Sequence, residues 1–306
     1  MKFTITATIP TAQYANLQPA IEVEAETFEE AQAIAMPQIQ QIWNSVCEAG
    51  KELKIRSTSV TEASTGETRE MECMFSGTTL FLDENTHTYR DESGEAYVSG
   101  SRFAEQFSYE FPKDAVLPMY AKKHDVPPEL IDAFWTAKGN NSRDFGHALH
   151  SALELAGKYS DLVLQLSTKE KPVVLGISPT LLPAVEDFFA DRMEEKALYE
   201  VFVVDKQGKR CGQIDRLVKT GEKSCIIEDY KTNGDLLKQG TPKYLKAPFD
   251  SKGNTPLLNQ PLSIYTIQLN FYRGIMESLG WTVEGLRVHH LDEMWDTIDI
   301  PKVDLP

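Results

Sequence analysis

The stretch CGQIDRLVKTGEKSCIIEDYKT, residues 211–232, contains two strand-like runs joined by a turn at Gly221. The first run ends on Asp215, and the second carries Asp229 and Lys231. Because side chains two residues apart on a strand point to the same face, Asp229 and Lys231 are predicted to project side by side. If the runs pair as a hairpin, Asp215 lies across from Asp229. Two carboxylates suited to a hard cation then stand beside an ammonium group.

The same alternation places Glu228 and Tyr230 on the other face of the second strand. An isolated pattern of this kind also fits an ordinary hairpin with charged side chains at its surface. The rest of the chain therefore has to decide between the two interpretations.

Four segments in a fixed order supply that context. They are GHALHSALE (146–154), GQIDRLV (212–218), IIEDYKT (226–232) and QLNFYRGIM (268–276), and HTYRDESGEAYVSGSRFAEQF precedes them from His87. With these segments the chain resembles the PD-(D/E)XK nuclease superfamily, in its RecB-like exonuclease branch, and especially the exonuclease-like proteins of bacteriophages. The resemblance covers about residue 78 to the C-terminus. It implies an α/β fold with a PD-(D/E)XK nuclease core, a mixed central sheet flanked by helices.

The resemblance also implies a catalytic set and a cofactor. Asp215 and Asp229 would hold Mg²⁺ or Mn²⁺, with the backbone carbonyl of Tyr230 as a further oxygen ligand and His150 at or beside the metal. Lys231 would orient the attacking water or help to deprotonate it. The expected reaction is hydrolysis of a phosphodiester without a covalent protein intermediate.

The helix predicted over GHALHSALE carries the histidine of this set. Gly146, His150 and Glu154 recur at every fourth residue and line one stripe of the helix. The family pattern Gly-x-x-x-His selects His150 over His147, although a histidine on a half-buried helix is often only packed or hydrogen-bonded. Glu154 and Glu200 are further acidic candidates, and structural pairing would explain Glu200 equally well.

DNA contacts are predicted on two segments. The family's Q-x-x-x-Y element, which is associated with DNA contact and with support of the active site, falls on one helix turn, and an arginine follows it. The segment from Lys231 to Lys252 contains five lysines and two aspartates. This excess of positive charge fits either a DNA-contacting loop or a solvated one. The predicted DNA-binding residues are Gln268, Tyr272, Arg273, Lys238, Lys243 and Lys246.

Composition limits the other possibilities. A formal charge of −15 argues against a surface that binds nucleic acid everywhere but allows a local groove. The chain has no long apolar run or signal segment, so we expect no membrane partner and a cytoplasmic location, that of the host if a phage encodes it. Its 4 cysteines are scattered, and none follows Cys225, so no iron–sulfur cluster is expected. A P-loop motif is absent.

Three parts of the chain are predicted. Residues 1–60 form a small α+β accessory domain, residues 61–77 a Ser-, Thr- and Glu-rich linker, and residues 78–306 the nuclease domain. In the accessory domain, Thr27 and Glu30 are predicted to form a capping box before a helix that runs through about Cys47. The accessory domain is expected either to contact a recombination or replication protein or to support the larger domain.

Alternating and amphipathic patterns predict the elements of the nuclease domain. A strand meander is predicted over Thr79–Tyr97, helices over Ser101–Phe107, Pro128–Lys138, Ser142–Lys158, Pro179–Lys196 and Leu262–Leu279, and strands over YEVFVVD, RCGQIDRLVK, SCIIEDYKT and Thr282–Leu291.

Two alternatives to a phage exonuclease in DNA recombination, repair or processing stay open. One is a sequence- or structure-specific endonuclease on the same fold, because the motifs specify cleavage chemistry and not how DNA is threaded. The other is a catalytically silent module that binds DNA or a protein, although such a module would not need the complete set of Asp215, Asp229, Lys231 and His150. The sequence does not specify the oligomeric state.

Overall fold

The computed structural model describes residues 68–306 apart from 168–173 and 193. Within the first 67 residues it describes 2–6, 9–12, 15–17, 20–25, 27, 30–31, 33–38 and 57–59. The chain divides into two compact units, Met1–Glu67 and Thr68–Pro306. The division falls inside the segment predicted as a linker. The last part of that segment differs from the prediction, because Thr68–Glu72 is a strand that pairs with the next strand of the large unit.

The first unit contains short strands and a helical segment. Its strands are β1 (Lys2–Thr6), β2 (Ile9–Ala12), β3 (Ala15–Leu17), β4 (Ala20–Glu24) and β5 (Ser57–Ser59). β1 pairs antiparallel with β4 and β5, and β2 pairs with β3. Residues 30–31 and 33–38 are helical, and Thr27 Oγ1 accepts a hydrogen bond from the Glu30 N–H at 3.3 Å, as the predicted capping box requires. The predicted helix end near Cys47 lies outside the described residues.

The second unit is α/β. Its strands are β6 (Thr68–Glu72), β7 (Thr79–Asp83), β8 (Thr88–Arg90), β9 (Ala96–Ser99), β10 (Ala197–Asp205), β11 (Arg210–Lys219), β12 (Ser224–Lys231), β13 (Thr282–Leu291) and β14 (Trp295–Asp299). Its helices are α1 (Gly100–Glu105), α2 (Lys113–His124), α3 (Pro128–Leu166), α4 (Leu182–Phe189) and α5 (Pro261–Ser278).

The nine strands form one mixed sheet flanked by helices, which confirms the predicted α/β class. Their order is β14-β13-β12-β11-β9-β8-β7-β6, with β10 also paired to β11. β10 follows one edge of β11 along its length, so β12 and β9 share the other edge. β12 and β13 run parallel, as do β9 and β11, and the remaining pairs are antiparallel. The predicted meander corresponds to β7, β8 and β9.

The helices differ from the prediction in three places. α3 is one helix of 39 residues, although Gly139-Asn140-Asn141 suggested a break. A helical glycine costs only about 1 kcal/mol, and Ser142 Oγ donates to the Lys138 carbonyl at 2.9 Å within the helix. α2 was not predicted, since it contains Pro118 and lacks amphipathic patterning. α4 is shorter than predicted, because the guanidinium of Arg192 caps the Phe188 carbonyl at 2.8 Å.

Apolar layers cover both faces of the sheet. One cluster joins α5 to the sheet through residues such as Leu269, Ile275 and Ile227. A second joins α3 and α4 to the sheet through residues such as Leu153 and Phe188. Among the helices in the described part of the chain, none combines the length and apolarity needed to cross a bilayer. The site described next lies where α3 approaches β10, β11 and β12.

Candidate active site

The hairpin of β11 and β12 brings the predicted acids together. The pairing register aligns Arg216 with Glu228, so the next position aligns Asp215 with Asp229. Here the Asp215 side chain bends onto the neighbouring strand, and its Oδ2 accepts a hydrogen bond from the Tyr230 N–H at 2.9 Å. The backbone pairing of the two strands ends at Arg216 and Glu228, and continuation of its register places Asp215 across from Asp229, in agreement with the prediction.

His150 is the histidine that reaches this hairpin. Its Nε2 lies 3.0 Å from the Tyr230 carbonyl oxygen, and its Nδ1 lies 3.5 Å from Asp215 Oδ2. A carbonyl oxygen only accepts hydrogen bonds, so Nε2 carries the hydrogen and a neutral ring turns the Nδ1 lone pair toward the carboxylate. His147 is exposed on the same helix. The choice of His150 over His147, made from the Gly-x-x-x-His pattern, agrees with this geometry.

Two glycines let α3 approach the strands closely. A Cβ atom at Gly157 would overlap the Tyr199 ring on β10. A Cβ atom at Gly146 would lie 3.2 Å from Thr232 Oγ1, just after β12. A side chain at Gly157 would push the helix away from the sheet, whereas one at Gly146 would require a small shift of the Thr232 hydroxyl. Gly146 therefore faces the Thr232 hydroxyl.

Glu200 joins His150 and Asp215 through an unusual backbone conformation. Glu200 has φ 51° in the middle of β10, and the pairing of β10 with β11 is interrupted between Tyr199 and Val201. This left-handed conformation is strained for a residue with a side chain. The Gln213 amide donates a hydrogen bond to the Glu200 carboxylate.

Among the described residues, His150, Glu200 and Asp215 form a group whose ligand atoms lie within 4.8 Å of one another. The sequence identified Glu200 only as an additional acidic candidate, whereas the structure places it in the candidate metal-binding group. No sequence signal could have revealed the positive φ.

Asp229 and Lys231 form a buried ion pair beside this group. Asp229 is 3% exposed, and its Oδ2 accepts no well-directed hydrogen bond from the described residues, although the Lys231 ammonium is close. Burial raises the pKa of Asp229 to about 6, with Lys231 opposing the shift and Asp215 adding to it. Burial by itself would lower the pKa of Lys231, but Asp229 and Asp215 outweigh burial and raise it. Lys231 Nζ also lies 4.7 Å from the Tyr265 ring centroid.

The group fits a divalent cation. Burial, followed by repulsion from Asp215 and Glu154, raises the pKa of Glu200 to about 8. The carboxylates of Glu200, Asp215 and Asp229 lie near one imidazole nitrogen and the Lys231 ammonium, while Glu154 and Lys158 compensate each other as an ion pair. Three negative charges thus face one positive charge when all three acids are ionised. Carboxylate oxygens with one imidazole nitrogen suit Mg²⁺ or Mn²⁺. The Tyr230 carbonyl, predicted as a ligand, accepts from His150 in this arrangement.

The opposite face of β12 carries a buried ion network. We call the side with Asp229 and Lys231 the front face and the side with Glu228 and Tyr230 the back face. Glu228 is 1% exposed and pairs with Arg216, which is completely buried. His289 Nε2 lies 3.0 Å from Glu228 Oε2. Glu228 also contacts Arg287 at 3.3 Å, and the second ion pair of Arg216, at 2.6 Å, is with Glu195.

The sequence did not predict the back-face network; it indicated only that Glu228 faces away from the site. Burial opposes ionisation of Glu228, but His289 and Arg216 outweigh burial and lower the pKa of Glu228 to about 2. The one signal was an arginine between two apolar residues on the same face of the alternating run of β11, Ile214 and Val218.

Of the two residues of the predicted Q-x-x-x-Y element, Tyr272 lies in the core and Gln268 lies at the edge of a cleft. Tyr272 is buried, and a Cβ atom at either Gly100 or Gly212 would overlap its ring. Gln268 lines the cleft beside Lys231 and donates to the Tyr272 hydroxyl at 3.1 Å. This position favours the supporting part of the predicted role over contact between the Tyr272 ring and a base.

The other predicted residues lie outside the group. Arg273 donates to the Val303 carbonyl at 2.8 Å and lies 3.8 Å from Glu277, so the structure does not bring it to the acids. Glu154 pairs with Lys158 on α3 at 2.6 Å. The predicted DNA-binding lysines are exposed on the segment between β12 and α5, and none of them lines the cleft; they are Lys238, Lys243 and Lys246.

Comparisons with family models, with curated proteins and with solved structures find no match for this chain. The class assigned by fold and site is accordingly an α/β protein with a candidate divalent metal centre.

Proposed function

We propose that the protein is a Mg²⁺-dependent deoxyribonuclease of the PD-(D/E)XK superfamily, an exonuclease that hydrolyses phosphodiester bonds during phage DNA recombination, repair or processing. The observation that carries this proposal is the convergence of His150, Glu200 and Asp215 beside the Asp229–Lys231 pair. The order of helix, strands, helix and strand in a mixed sheet agrees with what the sequence resemblance implies.

The residues of the site have different roles in the proposed hydrolysis. His150, Glu200 and Asp215 would hold the ion, with Asp229 close to them. When bound, Mg²⁺ neutralises charge on the phosphoryl oxygens and lowers the pKa of a coordinated water. Lys231, fixed by Asp229, orients the attacking water and stabilises the negative charge that develops on the phosphate.

The neighbouring hydrogen bonds hold these groups in place. The Tyr230 carbonyl fixes the His150 ring, and the Tyr230 N–H fixes Asp215. The Gln213 amide holds the carboxylate of Glu200. Such bonds to the ligands commonly decide ligand orientation in metal sites.

The test is digestion of end-labelled linear duplex DNA and of covalently closed circular DNA with Mg²⁺, Mn²⁺ or EDTA. We expect the linear DNA to be degraded with either metal, the circles to survive and EDTA to stop the reaction. Asp215→Asn, prepared in the same way, controls for contaminating nucleases. Efficient cutting of closed circles would favour the endonuclease alternative. Binding of DNA without any cutting would favour the silent module.

A further inference from the structure

A cleft of about 560 Å³ lies beside the candidate metal centre. His150, Lys231 and Gln268 line it, so it opens onto the residues proposed for catalysis. Apart from its histidines, its charged lining residues are the cations Arg143 and Lys231 and the carboxylate Glu105. Lys231 is paired with Asp229, so the charge of its ammonium is already compensated. Arg143 has no carboxylate partner among the described residues, and its guanidinium gives this cleft one available cation in a chain with a net charge of −15, which suits an anionic ligand.

Arg143 is the cation of this cleft that the proposed chemistry does not use. Within the described residues, the one polar side chain that it bonds is the uncharged amide of Asn140. Five other arginines of the large unit form ion pairs with carboxylates; they are Arg192, Arg210, Arg216, Arg273 and Arg287. Arg69, Arg90 and Arg102 form no ion pair with the described residues either, but none of them lines this cleft. A guanidinium without a carboxylate partner has its planar set of donors available for a phosphate.

A second donor stands one helical turn from Arg143. His147 follows it by four residues on α3, so the two side chains are neighbours on one helix face. Both line the cleft, and His147 is exposed and forms no ion pair with the described residues. Ser101, on α1, adds a hydroxyl to the same lining.

We propose that Arg143 and His147 form a subsite for the phosphate next to the scissile one on a single nucleic-acid strand. This inference rests on the proposed function and specifies its substrate. A space of 560 Å³ is about 8 Å across if its sides are equal, which is narrower than a B-DNA duplex, since the major groove alone is roughly 12 Å wide. The cleft therefore admits one strand of an unpaired end rather than an intact duplex.

The first test measures binding of a fluorescent single-stranded DNA octamer by anisotropy in EDTA, so that cleavage plays no part. Arg143→Ala should weaken binding about tenfold, which corresponds to loss of one charge-assisted hydrogen bond. It should also reduce the slope of log Kd against log salt by about 0.7, the value for one phosphate contact on a single strand. Arg143→Lys should recover the salt slope and only part of the affinity.

Lys206→Ala is the matched control, since it removes one exposed positive charge from the β10–β11 turn, outside the cleft. It should change affinity less than twofold. Equal effects of Arg143→Ala and Lys206→Ala would overturn the subsite, and so would the absence of octamer binding by the unmodified protein.

A second test locates the contact. Octamers in which a single phosphate is replaced by a neutral methylphosphonate are compared for the unmodified protein and Arg143→Ala. At one position the replacement should weaken binding to the unmodified protein but not to the variant, because both changes remove the same interaction. Additive effects at every position would contradict the contact.

The octamer-binding assay and the DNA-cleavage assay test the subsite and the nuclease assignment independently. Metal-dependent cleavage with unchanged binding by Arg143→Ala would remove the subsite and leave the nuclease assignment intact. Arginine-dependent binding without any cleavage would remove the nuclease assignment and leave a strand-binding cleft.

Discussion

The two faces of β12 differ in how far their buried charges are compensated by neighbouring side chains. On the back face, Glu228 is surrounded by Arg216, Arg287 and His289, and its pKa falls to about 2. On the front face, Asp229 is as deeply buried but shares one ammonium with its neighbours, and its pKa rises to about 6. Residues adjacent in sequence therefore occupy opposite electrostatic environments.

This difference distinguishes a structural network from a candidate site. The back face compensates its charges within the chain, so it needs no ligand. The front face leaves negative charge uncompensated and stores backbone strain at Glu200. Strain and perturbed pKa values concentrate where an external group completes the arrangement. The contrast predicts that changes on the front face alter chemistry and that changes on the back face alter stability.

The largest expected effect is loss of cleavage on the front face. Asp215→Ala, Asp229→Ala and Lys231→Ala should each lower the rate of linear DNA degradation at least about 100-fold, because each removes a group acting on the metal, the water or the phosphate. Circular dichroism should show folded protein in each case. A variant that keeps its cleavage rate would remove that residue from the site.

The next effect is destabilisation from the back face. Glu228→Ala leaves Arg216 buried without its main partner and should lower the free energy of unfolding by about 3–5 kcal/mol, measured by urea denaturation. The folded fraction should cleave DNA at a rate within a few-fold of the unmodified protein. Asp229→Asn is the front-face control, with lost cleavage and a much smaller loss of stability, because Asp215 still stabilises the Lys231 ammonium. If the two variants exchanged these properties, the assignment of the faces would be wrong.

The pH dependence of the metal-free protein should separate the faces further. The pKa of Glu200 is raised from 4.5 to about 8, so its contribution to stability is present below pH 4.5 and is lost as pH rises through about 8. Asp229 acts in the same direction. The lowered pKa of Glu228 has the opposite sign, and its contribution is lost as pH falls toward 2.

Glu200→Gln removes the carboxyl group of Glu200 and with it the loss of stability expected when that group ionises. In EDTA at pH 8, this variant should melt higher than the unmodified protein by at least about 2–4 °C, the shift for 1 kcal/mol in a domain of this size. Mg²⁺ should raise the Tm of the unmodified protein but not that of the variant. Glu186→Gln, at an exposed carboxyl on α4, serves as the control and should behave like the unmodified protein. A Tm in EDTA that is independent of pH between 5 and 8 would contradict the raised pKa of Glu200.

The smallest effect sharpens the assignment of the helix face. His150→Ala should weaken Mn²⁺ binding to the DNA-free protein at least about tenfold in calorimetry, because the Nδ1 lone pair is lost. His147→Ala should leave Mn²⁺ binding unchanged and weaken octamer binding instead. The reverse ranking would mean that α3 presents a different face to the strands.

The sequence alone determined the local elements and the order of the motifs. Period-two alternation predicted that Asp229 and Lys231 share a face, and the hairpin placed Asp215 across from Asp229. The Gly-x-x-x-His spacing selected His150, and the structure places the His150 ring against the Tyr230 carbonyl on β12. These features depend on neighbours within a few residues, which is the range over which backbone geometry transmits a pattern.

Only the tertiary structure decided the environment of each charge. It moved Glu200 into the candidate metal group through a positive φ, buried Arg216 in an ion network, and placed Tyr272 in the core. It also joined two predicted helices into α3, whose glycines fit against Tyr199 and Thr232. Burial and charge compensation depend on residues far apart in the chain, so a local pattern can propose which side chains share a face but not what surrounds them.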